Sequence, residues 1–221
     1  FMKKYSIILT GFLWVVASAT LHAQTADAPR TEQRLTLSGG PILESNLSGF
    51  FHSGVDGGNC QMRAGVSAGG FFDLGIRPSF SVQGTLLFHI KRSDFEWDGQ
   101  TGEFRYVGAE FAVHAFYHFH WRSGAQFIVG LGPYTEFGFD ATLKRNGVKS
   151  NLYEKDTDTG LPILCDSNTG FAVKVGYELA CGLQLNATYK ASVTNLLDAN
   201  SSTVKMYPHA VSVGVAWRFG K

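Results

Sequence analysis

The sequence predicts an all-β protein: an eight-stranded antiparallel transmembrane β-barrel with short periplasmic turns and long extracellular loops, preceded by a cleaved signal peptide. Three observations predict it. From Leu35 onward apolar residues recur with period two, the mark of strands with unlike faces, and no window sustains the 3.6-residue period of an amphipathic helix. The runs are about ten residues long, enough for a tilted strand to cross a bilayer. Their connections alternate between short turns and long polar loops, as in bacterial outer-membrane barrels.

Composition agrees with one sizeable domain. Of 221 residues, 44% are hydrophobic and 17% charged, and 14% are aromatic, which excludes disorder and a collagen-like repeat. The formal charge is +1. Once Lys3 and Lys4 leave with the leader, 17 basic face 18 acidic residues, so the chain carries no general charge for polyanions and nucleic acid is not an expected partner.

Taken in order, residues 1–23 read as the signal peptide: Lys3-Lys4, an apolar stretch from Ile7 to Val16, then small residues. The apolar stretch is far short of the ~20 residues of a spanning helix. Cleavage after Ala19 or Ala23 fits, and Ala23 is preferred. A short N-terminal segment, 24–34, then leads to the barrel, 35–221. A lipoprotein would need a cysteine directly after the cut, and the first is Cys60.

The first two strands, Leu35 to Leu43 and Ala64 to Leu74, are the weakest patterns. The third sets Phe80, Val82, Leu86, Phe88 and Ile90 against Ser81, Gln83, Thr85 and His89. The fourth opposes Val107, Ala109, Phe111, Val113, Ala115, Tyr117 and Phe119 to Gly108, Glu110, Ala112, His114 and His118. The fifth opposes Phe127, Val129, Leu131 and Phe137 to Gly130, Gly132, Tyr134 and Glu136. In the sixth, Phe171 to Leu179, and the seventh, Leu183 to Tyr189, the polar face carries Lys174, Glu178 and Lys190. The last sets Val211, Val213, Val215, Trp217 and Phe219 against Ser212, Gly214, Ala216 and Arg218. Short turns are expected near Gly75 to Pro78, His120 to Gly124 and Ala180 to Gly182. Long loops are expected near Asn46 to Met62, Arg92 to Gly102, Ala141 to Asn168 and Asn195 to Tyr207.

A soluble lipocalin-like barrel has the same strand number but the reverse polarity, an apolar interior and a polar exterior. Here aromatics cluster at both ends of the apolar face, Tyr117, Phe119, Phe127 and Trp217 near the short turns, Phe88, Phe137, Phe139 and Phe171 near the long loops. Two such girdles mark two membrane interfaces, so the apolar face is assigned to lipid and the charged face to the lumen. Buried charges persist when paired, so Glu110, Glu136, Lys174 and Lys190 are expected to form an interior salt-bridge network.

Phe80 to Lys91, Tyr106 to Phe119, Gly130-Leu-Gly-Pro-Tyr134, Gly170 to Tyr189 with Thr194-Asn195, and the closing Ala216-Trp-Arg-Phe219 resemble the PorT-like outer-membrane β-barrel family of Bacteroidota, over most of the mature chain. In architecture that family is similar to the small OmpA and OmpX barrels. The resemblance implies a barrel in the bacterial outer membrane, contact with its lipid and its assembly machinery, and, through one namesake, an association with protein secretion. Gly220 and Lys221 extend past the terminal aromatic Phe219 that assembly machinery reads in such barrels.

Motifs for chemistry are sparse. Gly65-Val-Ser67-Ala-Gly69 matches a nucleophile elbow, but no helix follows, and Ser67 continues the strand alternation. His114 and His118 lie more than about 13 Å apart along one strand, too far for one metal ion. No phosphate-binding loop or CxxC is present. Neither catalytic residues, nor a metal site, nor a cofactor is expected. Cys60 and Cys165 fall in long loops on one side and Cys181 in a short turn on the other, so Cys60 with Cys165 is the one pair whose placement allows a disulfide; three free thiols remain the alternative.

The reading is a non-porin surface protein acting through its loops, where Phe51, Phe95, Trp97 and Tyr153 are candidate contacts for an extracellular or secretion-system partner; packing against one another or at the headgroup level is the alternative for these aromatics. Two rivals are an accessory component of a secretion or transport machine and a lipid-modifying barrel enzyme.

Overall fold

In the computed structural model the described residues are 35–53, 59–97, 100–145, 147–154, 162–197 and 205–220. The expected signal peptide and residues 24–34 lie outside them. Nine strands follow in order: β1 (Thr36–Ser53), β2 (Asn59–Arg77), β3 (Phe80–Trp97), β4 (Gln100–His120), β5 (Gln126–Arg145), β6 (Val148–Asn151), β7 (Ser167–Glu178), β8 (Leu183–Ser192) and β9 (Lys205–Trp217). Every pairing is antiparallel, and the sequence β1-β2-β3-β4-β5-β7-β8-β9 returns to β1, so eight strands close a ring. The short β6 lies outside that ring, paired with the far end of β5 through Arg145 and Val148.

The period-two pattern sorts as the sequence predicts. Leu43, Phe88, Phe111, Leu131, Phe171 and Val213 stand exposed on the outer wall, while Glu44, Gln83, Glu110, His114, Lys174 and Ser212 are buried inside. Closure leaves the ring without an open sheet edge, which is what permits strands to sit in lipid.

The long-loop side differs from expectation. Instead of looping from Asn46 to Met62 and from Arg92 to Gly102, the chain stays in strand out to Ser53 and Asn59 and to Trp97 and Gln100; β1 and β2 pair with each other as far as Ser48 and Arg63, and beyond that β1 pairs with β9 and β2 with β3. Hydrogen bonding, not hydrophobicity, carries these extensions: beyond the belt the outer face no longer needs to be apolar, so the alternation fades while the ladder continues. The five strands β1 to β5 run 18–21 residues, about twice the ~9–11 needed to cross a membrane.

At the opposite end the connections are tight. Gly182, at φ 91°, closes the β7–β8 turn, where its N–H donates to Leu179 O, a left-handed position that glycine adopts without strain. Inside the barrel Phe116 crosses directly over Gly130, whose missing side chain leaves room for the ring; an added Cβ would lie 2.4 Å from it.

Candidate functional site: the lumen and the extracellular end

The lumen is occupied by side chains in tiers. At the periplasmic end Arg218 donates from Nη1 to Asp73 Oδ2 (2.5 Å) and Ser38 Oγ (2.7 Å), and from Nε to Glu178 Oε2 (2.9 Å); Gln184 donates to the same Glu178 oxygen (2.7 Å). Arg218 also sits 5.6 Å from the centre of the Phe71 ring. Higher up, Lys174 faces Glu44 at 3.7 Å, and Lys190 donates to both Glu110 oxygens at 2.7 Å. Above them Lys91 is paired with Glu136.

Of the four charges expected to form one network, Glu110 and Lys190 pair with each other, while Glu136 and Lys174 take partners outside the four. Glu110 and Glu136 face each other directly across β4 and β5, and each draws an ammonium from a different strand. Lys174 takes Glu44 instead, from the opposite wall. Sequence reading missed Arg218, Asp73, Lys91 and Glu44 as partners. Each lies on the polar parity of its strand, so the facing was legible; the partner across the lumen was not.

One ring nitrogen of His89 and carboxylate oxygens of Glu110 and Glu136 lie within 4.8 Å of one another. The donor set would suit a divalent cation, but both carboxylates are already neutralised by Lys190 and Lys91, and two ammonium groups at the same spot repel a metal. The arrangement is a charge-compensated plug. His114 and His118 are held apart by Phe116, with ring centres 5.8 and 6.4 Å from it.

The structure also joins Ser81 and His118, at 2.8 Å, with Gln126 Oε1 3.3 Å from the other ring nitrogen. That resembles a nucleophile, a base and an orienting group. Ser81, however, donates its single proton to Asp73 Oδ1 (2.7 Å), a carboxylate held by Arg218. With that proton committed to Asp73, Ser81 does not present it to His118, and the pair is not set as a nucleophile and its base. Ser67, of the elbow motif, is buried in the wall and accepts from Asn46 Nδ2 (2.9 Å).

The extracellular end is closed by apolar packing. Phe50, Phe104, Tyr106 and Ala141 from the strands meet Leu152, Leu164 and Leu196 from the connecting segments in one cluster. Backbone bonds tie those segments across the mouth: Leu152 N–H to Ala141 O, Leu164 N–H to Leu152 O and Cys165 N–H to Leu196 O.

The loop residues fall in different settings. Tyr153, expected as an exposed contact, packs half-buried against that cluster, and burial pushes its hydroxyl pKa up. Phe51 is 54% exposed on the outer wall and stacks on His209 at 3.8 Å. Phe95 and Trp97 occupy the end of β3, opposite Gly102 and Gln100; their side chains lie outside the described residues. The expected bridge between Cys60 and Cys165 is not formed, and both are free thiols. Cys60 is held in the β2–β3 ladder opposite Phe95, and Cys165 is tethered to Leu196, so the ladder and the plug, not a disulfide, order this end. Burial pushes the Cys60 thiol pKa up.

No protein-family profile matches the chain, and no curated protein sequence matches it. Solved structures do. The outer membrane protein OprG from Pseudomonas aeruginosa superposes with a TM-score of 0.51 at 11% identity, over 86% of this chain and 98% of that one. The chain has the fold of a small outer-membrane β-barrel. Neisserial surface protein A (TM-score 0.45, 14% identity, 82% of this chain and 97% of that one) and Ail, the attachment invasion locus protein of Yersinia pestis (0.43, 13%, 83% and 99%), are further similar structures. With an apolar belt outside and Glu44, Glu110, Glu136, Lys174 and Lys190 buried inside, the barrel is a protein of the bacterial outer membrane.

Proposed function

We propose that this chain is a non-porin surface protein whose extracellular end binds a protein partner while the barrel serves as its anchor. The observation that carries the reading is the surplus of strand. About half of each of β1 to β5 is not needed to cross the bilayer, yet it is kept in a hydrogen-bonded wall around an apolar plug. A lumen filled by ion pairs leaves that raised wall as the surface free to meet a partner. The reading is non-enzymatic; against hydrolysis at the Ser81–His118 pair stands the serine proton, which is donated to Asp73.

A finer proposal follows from the PorT-like strand texture and the Trp217-Arg218-Phe219 ending: the partner belongs to a secretion machine, and the chain is an accessory component of it. Replacing residues 95–102 by an Asn-Gly turn tests the general reading. Asp94 and Glu103 face each other, so the shortened hairpin keeps its register. The shortened protein is expected to assemble with heat-modifiable gel mobility and to fail to complement a deletion strain. Full complementation would overturn the reading. Co-purification of secretion components with the intact chain, lost on shortening, is the result expected of the finer proposal.

A further inference from the structure

Three arginines lie side by side on the outer wall where the lipid belt ends. Arg63 on β2 faces Arg92 on β3, which faces Arg105 on β4. Their outward aim follows from their neighbours: Lys91 and Ser93 point into the lumen on either side of Arg92, as do Phe104 and Tyr106 around Arg105. Arg63 reaches the outer face because the ladder slips between Arg63 and Val66, a bulge that re-aims the side chain.

Depth places this row at the headgroups. The lipid-facing residues of β3 run from Phe80 to Ile90, a rise of about 26 Å at ~3.4 Å per residue and ~40° tilt, which matches an apolar belt of ~25 Å. Arg92 is the next outward position.

Like charges directly opposite in a ladder repel, and this row is only partly compensated. Arg63 binds Asp94 (2.9 Å) and Glu103 (3.5 Å) and thereby occupies both carboxylates. Asp140 on β5, opposite Val107, accepts from Thr142 and makes no ion pair with Arg105. Among the described residues Arg92 and Arg105 have no ion-pair partner, and both are exposed.

We infer that Arg92 and Arg105, flanked by Arg63, bind the phosphate groups of the phosphorylated glycolipid in the outer leaflet. Adjacent strands place the two guanidinium groups about 5 Å apart at their base, within reach of one phosphate, and the planar fork of arginine suits its oxygens. The row rests on the barrel's depth in the membrane and not on what the loops bind, so its failure would leave the proposed function standing.

The test uses the whole mature chain, refolded in phosphate-free detergent micelles. Native mass spectrometry follows binding of bisphosphorylated lipid A, of the same lipid with both phosphates removed, and of inorganic phosphate. The wild type is expected to bind the bisphosphorylated lipid about tenfold more tightly than the dephosphorylated one. Arg92→Gln with Arg105→Gln is expected to abolish that preference with unchanged heat-modifiable mobility, and Arg92→Lys with Arg105→Lys to keep part of it. The single variants Arg92→Gln and Arg105→Gln, each expected to lose part of the preference, cover the case in which the double variant fails to fold. Equal binding of both lipids by the wild type, or an undiminished preference in the folded Gln variants, would overturn the inference. Displacement of the lipid by millimolar inorganic phosphate would overturn it too, by assigning the row to a soluble anion.

Discussion

Lys190 shows how a single residue is held in this barrel. Its ammonium is buried and meets both oxygens of Glu110, so truncating it leaves a carboxylate in a dry wall without that partner. Lys190→Met is expected to lower unfolding stability in urea by about 3–5 kcal/mol. Adding Glu110→Leu is expected to recover most of the loss, because removing both charges also removes their desolvation cost. An additive double variant would show that the two side chains do not interact.

Among the strands, the same period-two rule gives opposite consequences at two depths. Phe111 faces lipid near the middle of β4, whereas Val148 on β6 is 67% exposed beyond the belt. Phe111→Arg should cost about 2–4 kcal/mol in folding titrations in lipid, and Val148→Arg no more than about 0.5 kcal/mol. The turns make a second prediction. Cys181 is exposed in the short β7–β8 turn, while Cys60 is partly buried at the other end with its thiol pKa raised. A membrane-impermeant maleimide should label Cys181 only after the outer membrane is opened, and should then label it faster than Cys60, since the thiolate is the reactive form. Labelling of Cys181 on intact cells would reverse the orientation of the barrel.

For the molecule as a whole, eight strands leave an interior that side chains can fill, and here they do. Arg218, Lys174, Lys190 and Lys91 each hold a carboxylate at successive depths, and the Phe50–Leu196 cluster caps the outer mouth. Planar-bilayer recordings of the wild type should therefore show no large, steady conductance; a stable open channel would mean that these pairs do not persist in lipid.

The sequence by itself determined which face of each strand meets lipid, because side-chain direction alternates along a strand whatever its neighbours do. Glu110, Glu136, Lys174 and Lys190 were legible as lumen charges for that reason, and so was the closed barrel that two aromatic girdles require. Strand length on the outer side was not legible, since the ladder from Arg92 to Trp97 is held by backbone bonds that leave no mark on hydropathy. Nor was the pairing of Lys174 with Glu44 or of Lys91 with Glu136. Which side chains meet across the lumen depends on how far each strand is staggered against the next, and that stagger is fixed only when the whole ring closes.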